Sequence, residues 1–486
     1  MRKPIAPEKL PNSQPLLQQL DREATPRVAP MLDPGFRPAA LWVRAFLARA
    51  AAHPVKLGLA LGRPDGTVFR CDTTILPESD ATTAANCRHV ERLLKYLLWQ
   101  KGGSRVWLSG CPQLAAGLAQ DYAPSGARAF DADLLGNRVF GETVRVTACQ
   151  SDELPAPHEP TRTVGGHWNG CRIGFDLGGS DRKCAAVIDG QTVFSEEVPW
   201  APIKEPDWHY HWNGIEDSLQ RAAAHLPRVD AIGGSTAGIV VNNEIRVASL
   251  FRAVPKETFD QQVRTMFAAV ARKWQVPLVV MNDGEVTALA GAMGLNDKPV
   301  LGMAFGTSLA SGYCTPQGTL TSWLNELAFV PLDYRLTEAP REEWSGDFGC
   351  GALYLSQQAV GRLAPCAGIV FPDSVGLPER LAETQKRLQA GDPGARQIFE
   401  TIGRYLGYTV AHHDSFYALK RILILGRVTS GDAGNILIEA ANRVLKTEFP
   451  EVAARVSLSM PNEKEKRHGQ AMVAASLPEV CVFREQ

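Results

Sequence analysis

The stretch Arg172–Lys183 constrains the fold more than any other part of the chain, because it joins a strand pattern to a tight acidic turn. Within it, Ile173–Leu177 alternates large apolar residues with smaller or polar ones, and this period of two is typical of a β-strand. Asp176 stands where the strand ends, and the pair Gly178-Gly179 follows it. Two adjacent glycines let backbone N–H groups approach an anion closely, although an ordinary hairpin fits the same pattern.

Length and composition exclude several classes of protein. A chain of 486 residues is longer than one ordinary core and predicts two or three domains. A net charge of −1 provides no global attraction for nucleic acid or for a membrane surface. The ten cysteines are scattered without a Cys-x-x-Cys pair, which is typical of a reducing compartment. There is no signal-peptide pattern and no apolar run of roughly 20 residues, so we expect a cytoplasmic protein without nucleic-acid or membrane partners.

The pattern along the chain predicts five segments. These are an extended or disordered arm (1–38), an N-terminal α/β domain (39–150), a Pro-rich linker (151–170), and two further lobes (171–295 and 296–486). In the N-terminal domain we expect an amphipathic helix over His89–Gln100 and a strand over Arg105–Ser109. Lys56–Gly62 repeats the strand pattern of Arg172–Gly178, with Ala60 in place of Asp176. One interpretation is that the N-terminal domain is a degenerate copy of the lobe that follows it.

Small polar loops follow four predicted strands, at 176–180, 234–238, 282–284 and 306–312. Because ligands of α/β sheets bind at the carboxyl ends of strands, these loops predict one shared cleft. The loop Gly306-Thr307-Ser308 offers backbone N–H groups and hydroxyls that suit a phosphate, although no Walker A pattern is present.

Asp283 follows an apolar strand and opens a helix. A carboxylate in that position can be held rigidly at the floor of a cleft. Capping of the helix N-terminus is the alternative role, and the residue pattern leaves both open.

Taken together, these motifs resemble one protein family. Along the chain come Asp176-Leu-Gly-Gly-Ser-x-x-Lys183, Asn282-Asp283, Gly306-Thr307, Asn325-Glu326 and Leu425-Gly426. The series resembles the ROK family (repressors, open reading frames and sugar kinases) of the actin/hexokinase superfamily, over residues 171 to about 480. The resemblance implies an α/β fold of two ribonuclease-H-like lobes that close over ATP, Mg²⁺ and a sugar or polyol, here with an additional small N-terminal α/β domain.

The resemblance also implies roles for particular residues. It makes Asp283 the catalytic base of an ATP-dependent sugar kinase. It assigns substrate binding to Asn282, Glu326 and Gly238. It assigns nucleotide and Mg²⁺ binding to Asp176, Gly178, Gly179, Ser180, Lys183, Gly306, Thr307, Ser308 and Gly426. Two other functions stay open: a non-catalytic sugar- or nucleotide-binding regulator, and an ATPase-driven activator or acyl-group enzyme. A homodimer is one open oligomeric state.

The chain departs from the family pattern around the substrate. Phe329 stands where family members usually carry a histidine, and Ala352 stands where they carry a sugar-binding glutamate. Of the family's zinc-binding thiolates only Cys350 remains, and one cysteine cannot complete a tetrahedral zinc site. We therefore expect no structural zinc.

Overall fold

A computed structural model describes residues 14–159, 164–247, 249–295, 297–335, 339–461 and 469–480. Within these ranges the strands form sheets of four, five and four strands and one two-stranded hairpin. The α/β fold class predicted from the sequence is confirmed. No helix in the described ranges is long and apolar enough to span a membrane.

The N-terminal region is built around the first four-stranded sheet. Its elements are α1 (Gln14–Glu23), α2 (Ala39–Ala50), β1 (Val55–Gly62), β2 (Val68–Ile75), α3 (Thr83–Lys101), β3 (Arg105–Ser109), α4 (Pro112–Asp121), α5 (Ala129–Asp131), a π-helical segment (Ala132–Phe140) and β4 (Arg145–Cys149). The strand order is β2–β1–β3–β4.

This sheet is not a degenerate copy of the lobe that follows, and that interpretation is wrong. Strand β1 runs antiparallel to both β2 and β3, with Ala60 opposite Trp107, whereas a ribonuclease-H-like sheet needs a parallel neighbour on one side of its first strand. The shared strand pattern reflects a buried strand with glycines, which two unrelated sheets can both contain.

The predicted arm is also partly wrong. Its first 13 residues lie outside the described part of the chain, but Gln14–Glu23 forms a helix. Leu17 and Leu20 are three positions apart, so they lie on the same helical face, and both are buried in the core. Their burial against the rest of the N-terminal region stabilises a segment that composition alone marks as irregular.

The five-stranded sheet forms the first lobe. Its elements are β5 (Cys171–Leu177), β6 (Asp181–Ile188), β7 (Gln191–Pro199), α6 (Trp208–Ala223), β8 (Ala231–Thr236), β9 (Ile239–Val241), β10 (Glu244–Val247), α7 (Lys256–Thr258), a π-helical segment (Phe259–Val263), α8 (Met266–Trp274), β11 (Leu278–Asn282) and α9 (Asp283–Leu295). The order is β11–β8–β5–β6–β7, in which β5, β6 and β7 are antiparallel and β8 and β11 run parallel to β5. This is the ribonuclease-H-like arrangement.

The second lobe repeats the centre of that arrangement. Its elements are β12 (Val300–Phe305), β13 (Leu309–Cys314), α10 (Gln357–Leu363), α11 (Leu377–Gln389), α12 (Pro393–His413), β14 (Arg421–Leu425), α13 (Asp432–Glu448), α14 (Pro450–Ala453), β15 (Ser457–Ser459) and α15 (Gln470–Ala474). The order is β13–β12–β14–β15, with an antiparallel β12–β13 hairpin and parallel β12–β14 and β14–β15 pairs.

Helix α15 packs directly on the backbone of the first-lobe sheet. A Cβ atom on Gly174 of β5 would lie 1.7 Å from the Ala471 carbonyl oxygen, and one on Gly233 of β8 would lie 1.7 Å from that of Ala474. Only glycine permits this approach. The glycine in the middle of β5 is therefore needed for packing.

The N-terminal region and the second lobe share one hydrophobic core. Trp42 and Phe46 of α2 and Trp99 of α3 belong to the same buried cluster as Tyr334 and Tyr405. The aromatic contacts in this cluster include Trp42 against Tyr334, with ring centroids 5.4 Å apart. The N-terminal region is therefore continuous with the second lobe, and our expectation of a separately packed unit is not supported by its core.

Candidate functional site

Asp176 is the last polar residue of β5, and its side chain is buried. Lys183 lies opposite it on β6, with Nζ 3.9 Å from Asp176 Oδ2 and 3.2 Å from Asp181 Oδ1. Burial raises the pKa of Asp176, while the Lys183 charge opposes this shift. The pair places one buried carboxylate and one cation at the carboxyl end of the central strand.

The turn after β5 is fixed by its own hydrogen bonds. Gly178 N donates to Asp181 O (2.9 Å), and Trp200 Nε1 donates to Gly178 O (2.7 Å). Ser180 Oγ donates to Asp181 Oδ2 (2.8 Å). The Gly178 N–H is thus engaged inside the turn, whereas Gly179 and Ser180 are exposed and remain the groups that face solvent.

In the second lobe, the loop after β12 lies against the end of β14. Gly306 N donates to Ser308 O (3.0 Å), and Thr307 and Ser308 are exposed. Gly426 has a φ of 102°, and a Cβ there would lie 2.5 Å from the Phe305 carbonyl oxygen. The two predicted second-lobe nucleotide loops are therefore in direct contact, because the parallel strands β12 and β14 end at the same edge.

A cavity of about 630 Å³ lies between the two lobes. Lys183 of the first lobe and Leu425 of the second both line it, as does Gln470 of α15. The predicted phosphate loops themselves are not among its lining residues. They lie beside it, since Lys183 is paired with Asp176 and Leu425 directly precedes Gly426.

Asp283 opens α9 at the carboxyl end of β11. Its Oδ1 and that of Asn282 both accept a hydrogen bond from Gly284 N, at 2.9 and 2.8 Å. Asn282 Nδ2 donates to Gly238 O (2.8 Å), so the two predicted substrate residues Asn282 and Gly238 are brought together. The capping role and the site role that the sequence left open are geometrically compatible.

The site carboxyls influence one another electrostatically. Burial, and then the charge of Asp176, raises the pKa of Asp283 to about 7. Burial, and then the charge of Asp283, raises the pKa of Glu326 to about 7. Asp283 therefore interacts electrostatically with two carboxyl groups, those of Asp176 and Glu326.

The loop that carries Glu326 is held by the N-terminal region. Asn325 N donates to Gln100 O and Glu326 N donates to Trp99 O, each at 3.0 Å. Both carbonyls belong to the last turn of α3, where helical carbonyls lack partners of their own. The end of α3 therefore fixes the backbone of a predicted substrate residue.

Sequence reasoning missed Glu285. Its side chain is 3% exposed, and its Oε1 accepts a hydrogen bond from Asn325 Nδ2 (3.1 Å). Tyr417 OH donates to Asn325 Oδ1 (2.8 Å) and completes the network. Burial raises the pKa of Glu285 to about 8. The available signal was an acidic residue within an otherwise apolar helix, two positions after Asp283.

A second cavity of about 860 Å³ opens beside these groups. Its wall includes Asn282, Glu285 and Glu326. Arg63, from the turn after β1, lines the same cavity. Residues from the N-terminal region and from both lobes thus enclose one space that contains carboxyl and amide groups.

Cys350 lies beside a buried ion cluster. Its Sγ is 4.0 Å from Asp347 Oδ2, and burial raises the pKa of the thiol to about 12. Asp347 contacts Arg92, Lys95 and Arg128 at 3.1, 2.9 and 2.6 Å. Although burial opposes its ionisation, these cations hold the pKa of Asp347 well below the usual value. In the described part of the chain, no group of three or more His, Cys, Asp or Glu residues could hold a metal ion.

No protein-family model matches the sequence, and no curated protein matches it. Among solved structures, the chain is similar to a ROK hexokinase from Thermus thermophilus, with 20% identity and a TM-score of 0.49 over 63% of this chain and 96% of that one. It is also similar to a ROK-family glucokinase from Streptomyces griseus in complex with glucose and AMPPNP (18%, TM-score 0.45, 63% and 98%).

A ROK-family transcriptional regulator, a homologue of the E. coli MLC protein, is similar as well (18%, TM-score 0.48, 63% of this chain and 78% of that one). ROK sugar kinases and a ROK regulator are therefore both among the structures that this chain resembles.

Proposed function

We propose that this protein transfers the γ-phosphoryl group of ATP to a hydroxyl group of a sugar or sugar-like polyol. The observation that carries the proposal is the position of Asp283 at the carboxyl end of β11, next to Asn282, which lines the cavity of about 860 Å³, and within electrostatic range of Asp176 and Glu326. Phosphoryl transfer needs the nucleotide on one side of a carboxylate base and the acceptor hydroxyl on the other. Asp283 lies between groups that suit these two tasks.

In this proposal Asp283 accepts the proton of the acceptor hydroxyl as the oxygen attacks phosphorus. Asn282 and Glu326 hold neighbouring hydroxyls, since both line the cavity of about 860 Å³, which is the acceptor cavity in this proposal. A pKa near 7 suits a general base at neutral pH, because the group is then deprotonated in a large fraction of molecules and still basic enough to take a proton.

The residues around Asp176 fit a magnesium nucleotide. A buried carboxylate is a hard oxygen ligand of the kind Mg²⁺ prefers, and Lys183 beside it suits phosphate oxygens. The exposed hydroxyls of Ser180, Thr307 and Ser308 would lie at the phosphates, with Gly426 at the nucleoside. When bound, the metal ion supplies charge neutralisation at the transferring group.

A non-catalytic binding protein is the second candidate function, and one observation favours it. Phe329, where family members usually carry a histidine, stacks on Trp99 with ring centroids 4.2 Å apart, so this position serves the core. A regulator would keep the sugar cavity and lose transfer. The retained Asp283 and Lys183 favour the kinase.

The test is transfer itself. The full chain is incubated with ATP, Mg²⁺ and a panel of hexoses, amino sugars, sugar acids and polyols, and ADP and phosphorylated products are followed by a coupled assay and by ³¹P NMR. We expect ADP and a phosphate ester in equal amounts with at least one acceptor, and a rate lower by about 10² or more with Asp283→Asn. Acceptor binding by calorimetry without any ester formation would instead establish the binding protein.

A further inference from the structure

The direction of the Glu326 side chain depends on the backbone that carries it. Glu326 lines the acceptor cavity, yet among the residues that the structure describes none forms a hydrogen bond with its carboxyl group. Its backbone, in contrast, is held on both sides, since Glu326 N donates to Trp99 O (3.0 Å) and Phe329 N donates to Glu326 O (3.2 Å). The conformation of the 325–326 loop therefore sets where this carboxyl group lies.

Asn325, directly before Glu326, has a left-handed backbone conformation. Its φ is 51°, and the residue is buried. Residues other than glycine are uncommon in this region, although asparagine tolerates it better than most. Such a conformation persists only where the surrounding contacts hold it, and it is found often at ligand sites. The contacts of Asn325 therefore have to maintain the turn that precedes Glu326.

Every polar group of Asn325 has a partner, and the partners come from distant parts of the chain. Asn325 N donates to Gln100 O of α3 (3.0 Å), and its carbonyl oxygen accepts from Ser311 Oγ of β13. In the side chain, Nδ2 donates to Glu285 Oε1 of α9 (3.1 Å), and Oδ1 accepts from the hydroxyl of Tyr417 (2.8 Å), which lies between α12 and β14. One residue thus connects the N-terminal region, the first lobe and the second lobe.

An amide group matches the two side-chain partners of Asn325. Glu285 Oε1 is the acceptor for Nδ2, and the Tyr417 hydroxyl is the donor for Oδ1. An amide has a donor at one end and an acceptor at the other, and asparagine carries it on a short side chain. All three residues are buried, so loss of the amide would leave buried polar atoms without these partners. The side chain of Asn325 is therefore held at both ends, and it holds the backbone that carries it.

We propose that Asn325 is a positioning residue of the acceptor site: its amide holds the left-handed turn that directs the Glu326 carboxyl group into the acceptor cavity. This inference rests on the proposed function for the role of that cavity. Asn325 is not part of the wall that the described residues form, so it acts through Glu326. Because Glu326 would bind acceptor hydroxyls equally before and during transfer, the amide affects acceptor affinity and leaves the chemical step largely unchanged.

Asn325→Gly is the decisive variant, because glycine adopts a φ of 51° without strain while the two hydrogen bonds of the amide are lost. Calorimetry on the full chain measures the affinity for D-glucose, D-mannose, D-glucosamine, D-gluconate and D-glucitol, and separately for AMPPNP with Mg²⁺. For each probe that the wild type binds, we expect the variant to bind about tenfold or more weakly and to keep its nucleotide affinity. In steady-state kinetics, the KM for the acceptor should rise by the same factor with little change in kcat.

Two further variants assign the effect to the amide. Tyr417→Phe removes the hydroxyl that donates to Asn325 Oδ1 and should weaken acceptor binding in the same direction by a smaller factor. Gln275→Gly is the matched control, because Gln275 has a φ of 56° at the exposed end of α8, and it should bind every probe like the wild type. If Asn325→Gly does not fold, Tyr417→Phe decides alone.

Wild-type acceptor affinity in Asn325→Gly, or an equal loss of nucleotide affinity, would overturn the inference, and so would a fall in kcat with an unchanged KM. If the wild type binds none of the probes, the assignment of the cavity fails and the inference fails with it. Weaker sugar binding by Asn325→Gly, with no phosphate ester formed even by the wild type, would overturn only the proposed kinase function.

Discussion

Asp176 lies at the end of β5 and Asp283 follows β11, two strands away in the same sheet, and the charge of Asp176 adds to burial in raising the pKa of Asp283. This coupling has a direct consequence for any ligand that binds at Asp176. A cation there would remove part of the repulsion and lower the pKa of Asp283. Nucleotide binding and base activation would then be linked through two buried carboxyls.

Replacing Asp283 with asparagine tests the proposed base. Asn keeps an acceptor for Gly284 N and caps a helix about as well as Asp, so stability should change little. Transfer should fall by about 10² or more, because general-base catalysis typically contributes that factor or a larger one. Nucleotide affinity should hold. Steady-state kinetics and calorimetry check these outcomes, with Asp133→Asn, an exposed pair partner of Arg138, as the matched control.

The pH profile of transfer should report the same group. Because the base acts only when deprotonated, and its pKa is about 7, the rate should rise from pH 6 to pH 8 and then level off. Below the pKa the fall is about tenfold per pH unit. Initial rates with both substrates well below saturation measure it, because such rates report the pKa of the protein without bound nucleotide. A rate that is constant over this range would assign the base elsewhere.

Glu285→Gln should make the protein less sensitive to alkaline pH. The folded state binds the Glu285 proton more tightly than the unfolded chain, so this contribution to stability is present at low pH and is lost as pH rises through about 8. Glutamine keeps the acceptor for Asn325 Nδ2 without a charge. The gain of the variant over wild type should be about 1 to 3 kcal/mol larger at pH 9 than at pH 6, because the stability of the wild type falls throughout the range between the unfolded and folded pKa values.

Urea unfolding at both pH values provides the measurement. Glu439→Gln, at an exposed position of α13, is the control and should behave like wild type at either pH. An equal effect of Glu285→Gln at pH 6 and pH 9 would show that charge on this side chain is not involved.

Asp347→Asn tests whether the buried ion cluster around Asp347 stabilises the loop that carries Cys350. Removing this carboxylate leaves Arg92, Lys95 and Arg128 without a shared partner, and breaking a buried pair costs about 3 to 5 kcal/mol. A chelator should leave the melting temperature of the wild-type protein unchanged, because we expect no structural zinc. Thermal unfolding with and without chelator, together with elemental analysis, checks both statements. One tightly held zinc per chain would contradict the second.

Gly426→Ala should weaken nucleotide binding. A φ of 102° is unfavourable for alanine, and the added Cβ would press on the Phe305 carbonyl directly before the Gly306 loop. We expect a loss of nucleotide affinity of about tenfold, with acceptor affinity retained. Gly431→Ala is the control, since it also has positive φ (65°) but open space around its Cβ. Equal losses in both variants would mean that backbone strain alone is responsible.

Local pattern was sufficient to predict much of the fold. The alternation in Arg172–Leu177 predicted β5, and the predicted strand Arg105–Ser109 matches β3. The predicted helix over His89–Gln100 lies within α3, which begins six residues earlier. These elements follow from side-chain periodicity, which a single sequence shows directly.

Features that depend on distant residues could not be predicted. Nothing in the sequence around Asn325-Glu326 indicates that Trp99 and Gln100 hold its backbone, because the partners are more than 220 positions away. The antiparallel orientation of β3 against β1 is likewise set by tertiary packing, which the local sequence does not show. The interpretation of the N-terminal sheet as a degenerate copy of the first lobe was therefore wrong. For the site, the placement of Asn282 against Gly238 agrees with the shared-edge expectation, while the chemical roles of both stay predictions.

The hydrogen bonds from the last turn of α3 to the 325–326 loop also bear on how the chain acquires its structure. The 325–326 loop can take its final shape only when the end of α3 is in place, and α3 belongs to the core that the N-terminal region shares with the second lobe. Fragments that begin at the first lobe would leave the loop backbone and a large apolar face of the second lobe uncovered. Residues 14–149 therefore act as an internal scaffold, which a truncation experiment would remove together with the fold that it supports.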